Sequence, residues 1–146
     1  MKAWRLARRK FAALDGVGAS VFGGRWNPPG QTVVYSAENL SLALLEVIVH
    51  LELALDWLPP DYVKIELQIP DNVRIEEHAS LPRNARAMQE IGRRWRHAGD
   101  SVGLFVPSVI VPEEKNLLLN PEHRDFTRIQ KARPRPFKID LRLLSF

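Results

Sequence analysis

The clearest alternation of apolar and polar side chains runs from Tyr62 to Ile69. There Val63, Ile65, Leu67 and Ile69 fall on one face, and Tyr62, Lys64, Glu66 and Gln68 on the other. This period of two predicts a half-buried strand. Upstream, Thr32 to Ser36 is β-branched and aromatic and predicts another strand. Leu40 to Leu55 contains no glycine or proline and is apolar nearly all round, with Asn39 as a good N-cap before it, so a helix should follow that strand directly. Asn84 to His97 reads as a second helix that stops at Gly99 and carries Trp95 on its apolar side. Leu104 to Val111 has strand composition despite Pro107, which belongs at an edge or a bulge. Asn116 to Leu119 predicts a short strand, Asn120-Pro121 an N-cap and first residue of a short helix, and Phe137 to Leu143 alternates again.

Between these elements, five of the eight glycines fall between Gly16 and Gly30, in DGVGASVFGGRWNPPG. That stretch is expected to be a loop with several special backbone positions, and the strand and helix after it bring their ends beside it. The sum is an α+β fold with five or six strands and three helices, in a single domain covering residues 1–146.

Composition narrows the chemistry. A chain of 146 residues, 45% hydrophobic and 26% charged, suits one globular domain. The absence of cysteine excludes disulfides, thiol nucleophiles and cysteine-ligated zinc, and points to a cytoplasmic setting. The longest apolar run, Leu40 to Leu51, is broken by Ser41, Glu46 and His50 and is shorter than the ~20 residues that span a bilayer. The basic N-terminus lacks the apolar core of a secretory signal, so no membrane association is expected.

The formal charge of +4 is unevenly placed. Residues 1–37 hold six basic and one acidic side chain, residues 38–77 two and nine, and residues 78–146 thirteen and seven. A positive head and tail around an acidic middle suit a basic cleft for an anion or a docking face for an acidic partner; solvated faces that happen to segregate are the plain alternative.

Glu46 is a carboxylate in the most apolar stretch of the chain. Buried, it needs a cationic or hydrogen-bonding partner; on a less buried helix edge it would need none. Arg25 is the natural partner, because Gly23-Gly24 lets the backbone approach closely and Asn27-Pro28-Pro29-Gly30 fixes a turn, although an arginine on a flexible surface loop is the simpler reading. His50 shares a helix face with Glu46 as a core or boundary residue, and Trp26 reads as a packing anchor. Gly16-Val17-Gly18 lacks the third glycine of a dinucleotide fingerprint and precedes a strand, and no phosphate-loop motif occurs. Histidines 50, 78, 97 and 123 have no metal-ligand spacing, so no metal is expected, and Ser108 lacks the flanking glycines of a hydrolase elbow.

Taken together, Gly23-Gly24-Arg25-Trp26-Asn27, Val34-Tyr35-Ser36, Ala43-Leu44-Leu45-Glu46, Val106-Pro107-Ser108 and Asn116 with Asn120-Pro121 resemble the RES family of bacterial toxins. These are paired with Xre-type helix-turn-helix antitoxins. The resemblance runs from Trp4-Arg5 to about Ile129, and its most specific part is GGRWN followed by Tyr35 and Glu46 at offsets of ten and twenty-one from Arg25. It implies a fold similar to ADP-ribosyltransferase toxins and an activity that destroys NAD, by hydrolysis or by phosphorolysis with inorganic phosphate. NAD is then substrate, and no cofactor is needed. Carried over by position, Arg5 and Arg25 match arginines of the NAD pocket, Tyr35 its tyrosine, Glu46 its glutamate and Ser108 its serine.

On that resemblance, Glu46, Arg25 and Tyr35 are expected to be catalytic, and Arg5, Arg25, Tyr35 and Ser108 to bind substrate. The two arginines would hold the pyrophosphate, Tyr35 would stack on or wall the nicotinamide end, and Glu46 would bind a ribose hydroxyl and stabilise positive charge. Ser108 would support the pocket through Glu46 or the substrate. An Xre-type antitoxin is the implied partner, DNA is reached only through it, and a homodimer is compatible with the sequence. Two other readings remain open: an ADP-ribosyltransferase acting on a protein or small molecule, and a non-enzymatic basic module that docks on nucleic acid or protein.

Overall fold

The computed structural model describes residues 1–51 and 60–144. All its strands join one mixed sheet. In chain order the elements are β1 (Lys2–Arg8), α1 (Val17–Phe22), β2 (Val34–Ala37), α2 (Leu40–His50), β3 (Tyr62–Gln68), β4 (Ile75–Glu77), α3 (Ala85–Ala98), β5 (Gly103–Pro107), β6 (Lys115–Leu119), β7 (Gln130–Lys131) and β8 (Arg135–Pro136). Single 3-10 turns cover Arg9–Phe11, Arg124–Arg128 and Leu141–Leu144. The strand order is β4-β5-β6-β2-β1-β3-β7, with β8 also on β3. The β4–β5 pair is parallel and the other pairs are antiparallel. The architecture is α+β, as the sequence predicts.

The predicted caps are present: Asn39 accepts from the Leu42 amide and Asn84 from the Ala87 amide, while Gly99 ends α3 at φ 66°. The helix expected to reach Leu55 is seen to His50; residues 52–55 lie outside the described residues. Pro107 is the last residue of β5, where β4 has already ended at Glu77 opposite Phe105, so the strand is locally an edge and the missing N–H costs no ladder bond.

Several expectations fail for identifiable reasons. The glycine-rich stretch is not all loop, because α1 forms inside it between Gly16 and Gly23, both at positive φ. Asn120 does not start a helix: its side chain accepts from the Glu122 amide in a local turn, and the 3-10 segment begins later, capped by His123. Phe137 to Leu143 forms no strand. Phe137 and Ile139 leave the sheet to pack with Leu6, Leu42 and Tyr62, and Asp140 accepts from the Arg142 amide to start a 3-10 turn.

The core has three parts. β1, β3 and β6 contribute Ala3, Val63, Ile65, Leu67, Leu117 and Leu119 to one. α2 sets Leu42 and Ala43 against Leu6, Ala37 and Tyr62 in a second. α3 brings Trp95 onto Trp26, Leu104, Val106 and Leu118 in a third. Leu117, Leu118 and Leu119 are all fully buried, so β6 is covered on both faces, which explains an apolar run without alternation.

One feature of the sheet positions the site. β1 and β2 pair at a single position, Trp4 with Ala37, whereas β1 pairs with β3 along its whole length. The two strands part beyond that pair. Arg5 crosses the gap, donating from Nη1 to the Tyr35 carbonyl at 2.9 Å.

Candidate active site

A cleft of about 750 Å³ opens where β1 and β2 separate. Its walls include Arg5, Arg25, Tyr35, Glu46, His50 and Asn116, and its rim carries Phe11, Val17 and Phe22. The volume lies within the range of small-molecule sites.

Arg25 is presented by a tight turn. The Gly24 amide donates to the Asn27 carbonyl at 2.9 Å and the Asn27 amide donates back to Gly24 at 3.4 Å, leaving Arg25 and Trp26 at the tip. Adjacent residues then serve opposite ends: Trp26 is buried in the third core and Arg25 reaches the cleft. Glycine at position 24 is forced by proximity, since a Cβ there would collide with the Tyr35 hydroxyl and would lie 2.7 Å from Asn27 Oδ1.

The Tyr35 hydroxyl fastens this turn. It donates to Asn27 Oδ1 at 2.6 Å and accepts from the Trp26 amide at 3.1 Å. Asn27, fully buried, donates in turn to the carbonyls of Ala19, Pro28 and Gln31. From α3, Gln89 donates to the Gly24 carbonyl at 3.2 Å. Burial pushes the Tyr35 phenol above its ordinary value, against the Trp26 amide and the Arg25 charge, which pull it down.

Glu46, on α2, collects three donors. Arg25 Nη1 lies 3.1 Å from Oε2, while Ser108 Oγ (2.8 Å) and Asn116 Nδ2 (2.7 Å) converge on Oε1. The side chains of Arg25 and Glu46 are 22% and 16% exposed, so the pair is half-sheltered yet open to the cleft. Among the described residues, the side-chain groups that hydrogen-bond to the two Glu46 oxygens are all donors. Among the described residues the Arg25 guanidinium makes no other hydrogen bond, so most of its fork still faces the cleft.

Ser108 is 0% exposed and does not reach the cleft. Its oxygen accepts from the amides of Ile110 and Val111, both at 3.1 Å, which leaves its single proton for Glu46. The structure therefore places it behind the carboxylate rather than against a ligand. Arg5 lies deeper than Arg25, and burial pulls its guanidinium below the ordinary value, opposed by the Asp15 charge. Nη1 and Nη2 donate to the Tyr35 and Phe11 carbonyls, while the buried Nε has no partner among the described residues. His50 Nδ1 lies 2.7 Å from the Glu46 carbonyl one turn back, and its ring lines the cleft.

The structure thus gathers all five predicted residues around one cleft, with Ser108 in its supporting layer. Asn116 and Asn27 are the partners that sequence reasoning did not place. An amide at the head of Leu117-Leu118-Leu119 was the available signal for Asn116, since asparagine is depleted in strands. Among the described residues, no group of three or more histidine or acidic side chains is placed to hold a metal ion.

A model of the RES domain matches residues 2–140. The chain belongs to the RES family. Relatives cover nearly all of it. Toxin Res of Photorhabdus laumondii is 40% identical over 97% of this chain and 96% of its own length. Toxin Res of Yersinia enterocolitica is 36% identical over 98% and 99%. A Prs ADP-ribosylating toxin of Sphingobium is 37% identical over 97% and 95%. In structure, this RES chain superposes on a chain of the MbcT–MbcA toxin–antitoxin complex of M. tuberculosis with a TM-score of 0.76. That match covers 94% of this chain and 84% of the other at 18% identity, so the fold is shared while little sequence is. No helix among the described residues is long and apolar enough to cross a membrane.

Proposed function

We propose that this RES chain is the toxin of a toxin–antitoxin pair and that it degrades NAD, breaking the bond between nicotinamide and ribose and passing the ribose carbon to water or to phosphate. The observation that carries the reading is the Glu46 carboxylate, held by Arg25, Ser108 and Asn116 at the wall of a cleft large enough for a dinucleotide. The names Toxin Res and Prs ADP-ribosylating toxin, borne by relatives that align end to end, support it.

The chemistry fits a site with one carboxylate. Glycosidases generally need a second carboxyl group to protonate the leaving oxygen. Nicotinamide is cationic while attached to ribose and leaves neutral, so no acid is required. As the bond breaks, positive charge grows on the ribose, and a fixed carboxylate beside it stabilises that charge without reorganising. Ser108 and Asn116 hold Oε1, which leaves Oε2 as the oxygen facing Arg25 and the substrate. The remaining donors of Arg25 are the groups available to a pyrophosphate, while Arg5, whose unpartnered Nε is itself buried, lines the cleft beside them. Tyr35 acts through the turn that presents Arg25; its hydroxyl is engaged by Trp26 and Asn27.

A second reading, transfer of ADP-ribose to a protein, is favoured by the name of the Sphingobium relative. Both reactions begin with the same bond cleavage and differ in the acceptor. Incubating the protein with NAD, with and without phosphate, and separating the products decides between them. Free ADP-ribose or its phosphate ester is the expected outcome. A mass gain of one ADP-ribose unit on an added protein, without free product, would favour transfer, and intact NAD would reject both.

A further inference from the structure

The geometry points to a second binding site, for a phosphate group, in a hollow between the end of α3 and the turn that follows β6. The hollow has a volume of about 530 Å³, and none of the residues that line it also lines the cleft at Glu46. The two sites lie at opposite ends of β6. Asn116, the second residue of that strand, donates to Glu46, whereas Asn120 follows its last residue and borders the hollow. The Asn120-Pro121 pair thus has a place in the molecule that NAD cleavage does not use.

Two buried side chains supply donors that lack acceptors. Asn120 is 2% exposed, and its backbone is fixed on both sides: its amide donates to the Val102 carbonyl and its carbonyl accepts from the His123 amide. Its Oδ1 accepts from the Glu122 amide at 2.9 Å, which orients the side chain and leaves Nδ2 as a donor without a partner among the described residues. The His123 side chain is 8% exposed. Its Nδ1 accepts from the Asp125 amide at 3.0 Å, so the neutral ring carries its proton on Nε2. That donor also has no partner among the described residues.

Both nitrogens reach open space. Among the described residues, the fully enclosed side-chain polar atoms without a partner are Arg5 Nε and Gln31 Oε1, and neither nitrogen is one of them. The open space that Asn120 and His123 both border is the hollow. A sheltered N–H left unpaired is costly, so two of them facing one cavity are stabilised by a ligand that brings acceptor oxygens.

The rest of the wall narrows that ligand. Arg96 gives Nε to the Thr32 carbonyl at 2.8 Å, and Nη2 to the Thr32 hydroxyl at 3.0 Å and to Glu122. The guanidinium is held in place, and its Nη1 makes no hydrogen bond among the described residues. Glu122 and Asp100, the two carboxylates of the hollow, are exposed and stand at its edge, where Arg124 and His97 also lie. Arg96 offsets Glu122, and Arg124 offsets Asp100 and the carbonyl end of α3. The inner wall is therefore one of donors, carried by three different elements. A phosphate group has enough oxygens to meet all three, whereas a carboxylate has two, and the volume leaves room for whatever the phosphate is attached to.

The test is an NMR titration of the full, nitrogen-labelled chain with inorganic phosphate and with glycerol phosphate, against chloride and acetate at equal ionic strength. The signals read are the Asn120 side-chain amide and the His123 ring. Phosphate in the cleft at Glu46 would move the His50 ring instead, so the two sites are told apart. Both phosphate probes are expected to shift the Asn120 and His123 signals at millimolar concentration; tighter binding of glycerol phosphate would mark an esterified ligand, and tighter binding of inorganic phosphate the free ion. Asn120→Asp keeps the oxygen that accepts from Glu122 and turns the donor into an acceptor. It should weaken phosphate here by about tenfold or more, the size of one charge-assisted hydrogen bond. His123→Asn keeps an acceptor for the Asp125 amide and removes the Nε2 donor, with a similar loss. Arg124→Ala, at the exposed edge, should cost less. Asn120 and His123 signals that ignore both phosphate probes would overturn the site. So would phosphate affinity within twofold of wild type in both Asn120→Asp and His123→Asn, or acetate shifts equal to those of phosphate.

Discussion

The two ends of the cleft are built on opposite terms. Around Glu46 the polar groups are tied together: Oε1 takes two hydrogen bonds, Oε2 takes one, the Ser108 oxygen is filled by two amides, and the Tyr35 hydroxyl both donates and accepts. At the other end, Phe22 stands largely in solvent and Phe11 is partly exposed. The difference separates two tasks. A group that must stabilise developing charge gains by being fixed before the substrate arrives, because nothing then reorganises during the reaction. An apolar rim has no such need; it is stabilised by whatever covers it. On the proposed NAD reading, the reacting carbon belongs at the network.

This contrast predicts a graded set of effects. The largest belongs to Arg25. Its side chain faces the cleft, while the turn that carries it is held by Tyr35, Asn27 and Gln89. Arg25→Ala should therefore lower kcat/KM for NAD by about 10²–10³-fold, the size typical of losing one oriented charge-stabilising group. Thermal unfolding should move little. A loss of activity matched by a collapse of stability would show that Arg25 is part of the scaffold.

Ser108→Ala comes next and acts in the other direction. With the hydroxyl removed, two part-buried amides and one carboxylate oxygen lose a partner, a cost of about 1–3 kcal/mol that denaturant unfolding can measure. Unchanged stability would mean that water replaces the hydroxyl and that the network is looser than drawn.

Tyr35 provides a pH test. Burial raises its phenol, so the stability tied to the neutral form is present below the ordinary value of about 10 and is lost as pH climbs above it. The midpoint of urea unfolding should fall from about pH 10 upward. Tyr35→Phe should flatten that fall, while Tyr62, also raised by burial, preserves part of it. Identical slopes in the two proteins would remove Tyr35 from the account.

The smallest effects lie at the rim. Gly18→Ala should stabilise the fold by about 0.5–1 kcal/mol, because helix conformation is already adopted and the new Cβ meets the Phe11 ring at an ordinary distance. A destabilised variant would indicate that α1 is packed more tightly than its exposure implies.

How much of this was legible in the sequence depends on whether the signal was local. The β3 strand, the α2 and α3 caps and the Arg25–Glu46 pair follow from alternation, capping chemistry and the need of a sheltered carboxylate for a cation. β1 escaped because Ala3 and Ala7 give weak contrast and because Trp4 and Arg5 both line the cleft, which breaks the alternation of its side chains. β4 is three residues long and is fixed by parallel pairing to β5, a nonlocal cause. In the site, the resemblance alone implied that Tyr35 stacks on or walls the nicotinamide end; the hydroxyl contacts that make it a clamp join residues eight and nine positions apart. Ser108 meets Glu46 across 62 residues, one of the two roles that the resemblance implied for it, and Asn116 meets Glu46 across 70; no local pattern reports either contact.

The central claim is that Glu46, held by its three donors, is the group on which NAD cleavage depends. The most direct measurement is the rate of nicotinamide release from NAD, followed by proton NMR, for wild type and Glu46→Gln at equal concentration of folded protein. Glutamine keeps the size of the side chain but presents an amide group in place of one acceptor oxygen. The account predicts release by the wild-type chain and a fall of about 10²–10³-fold in the variant. Release by Glu46→Gln at the wild-type rate would contradict it.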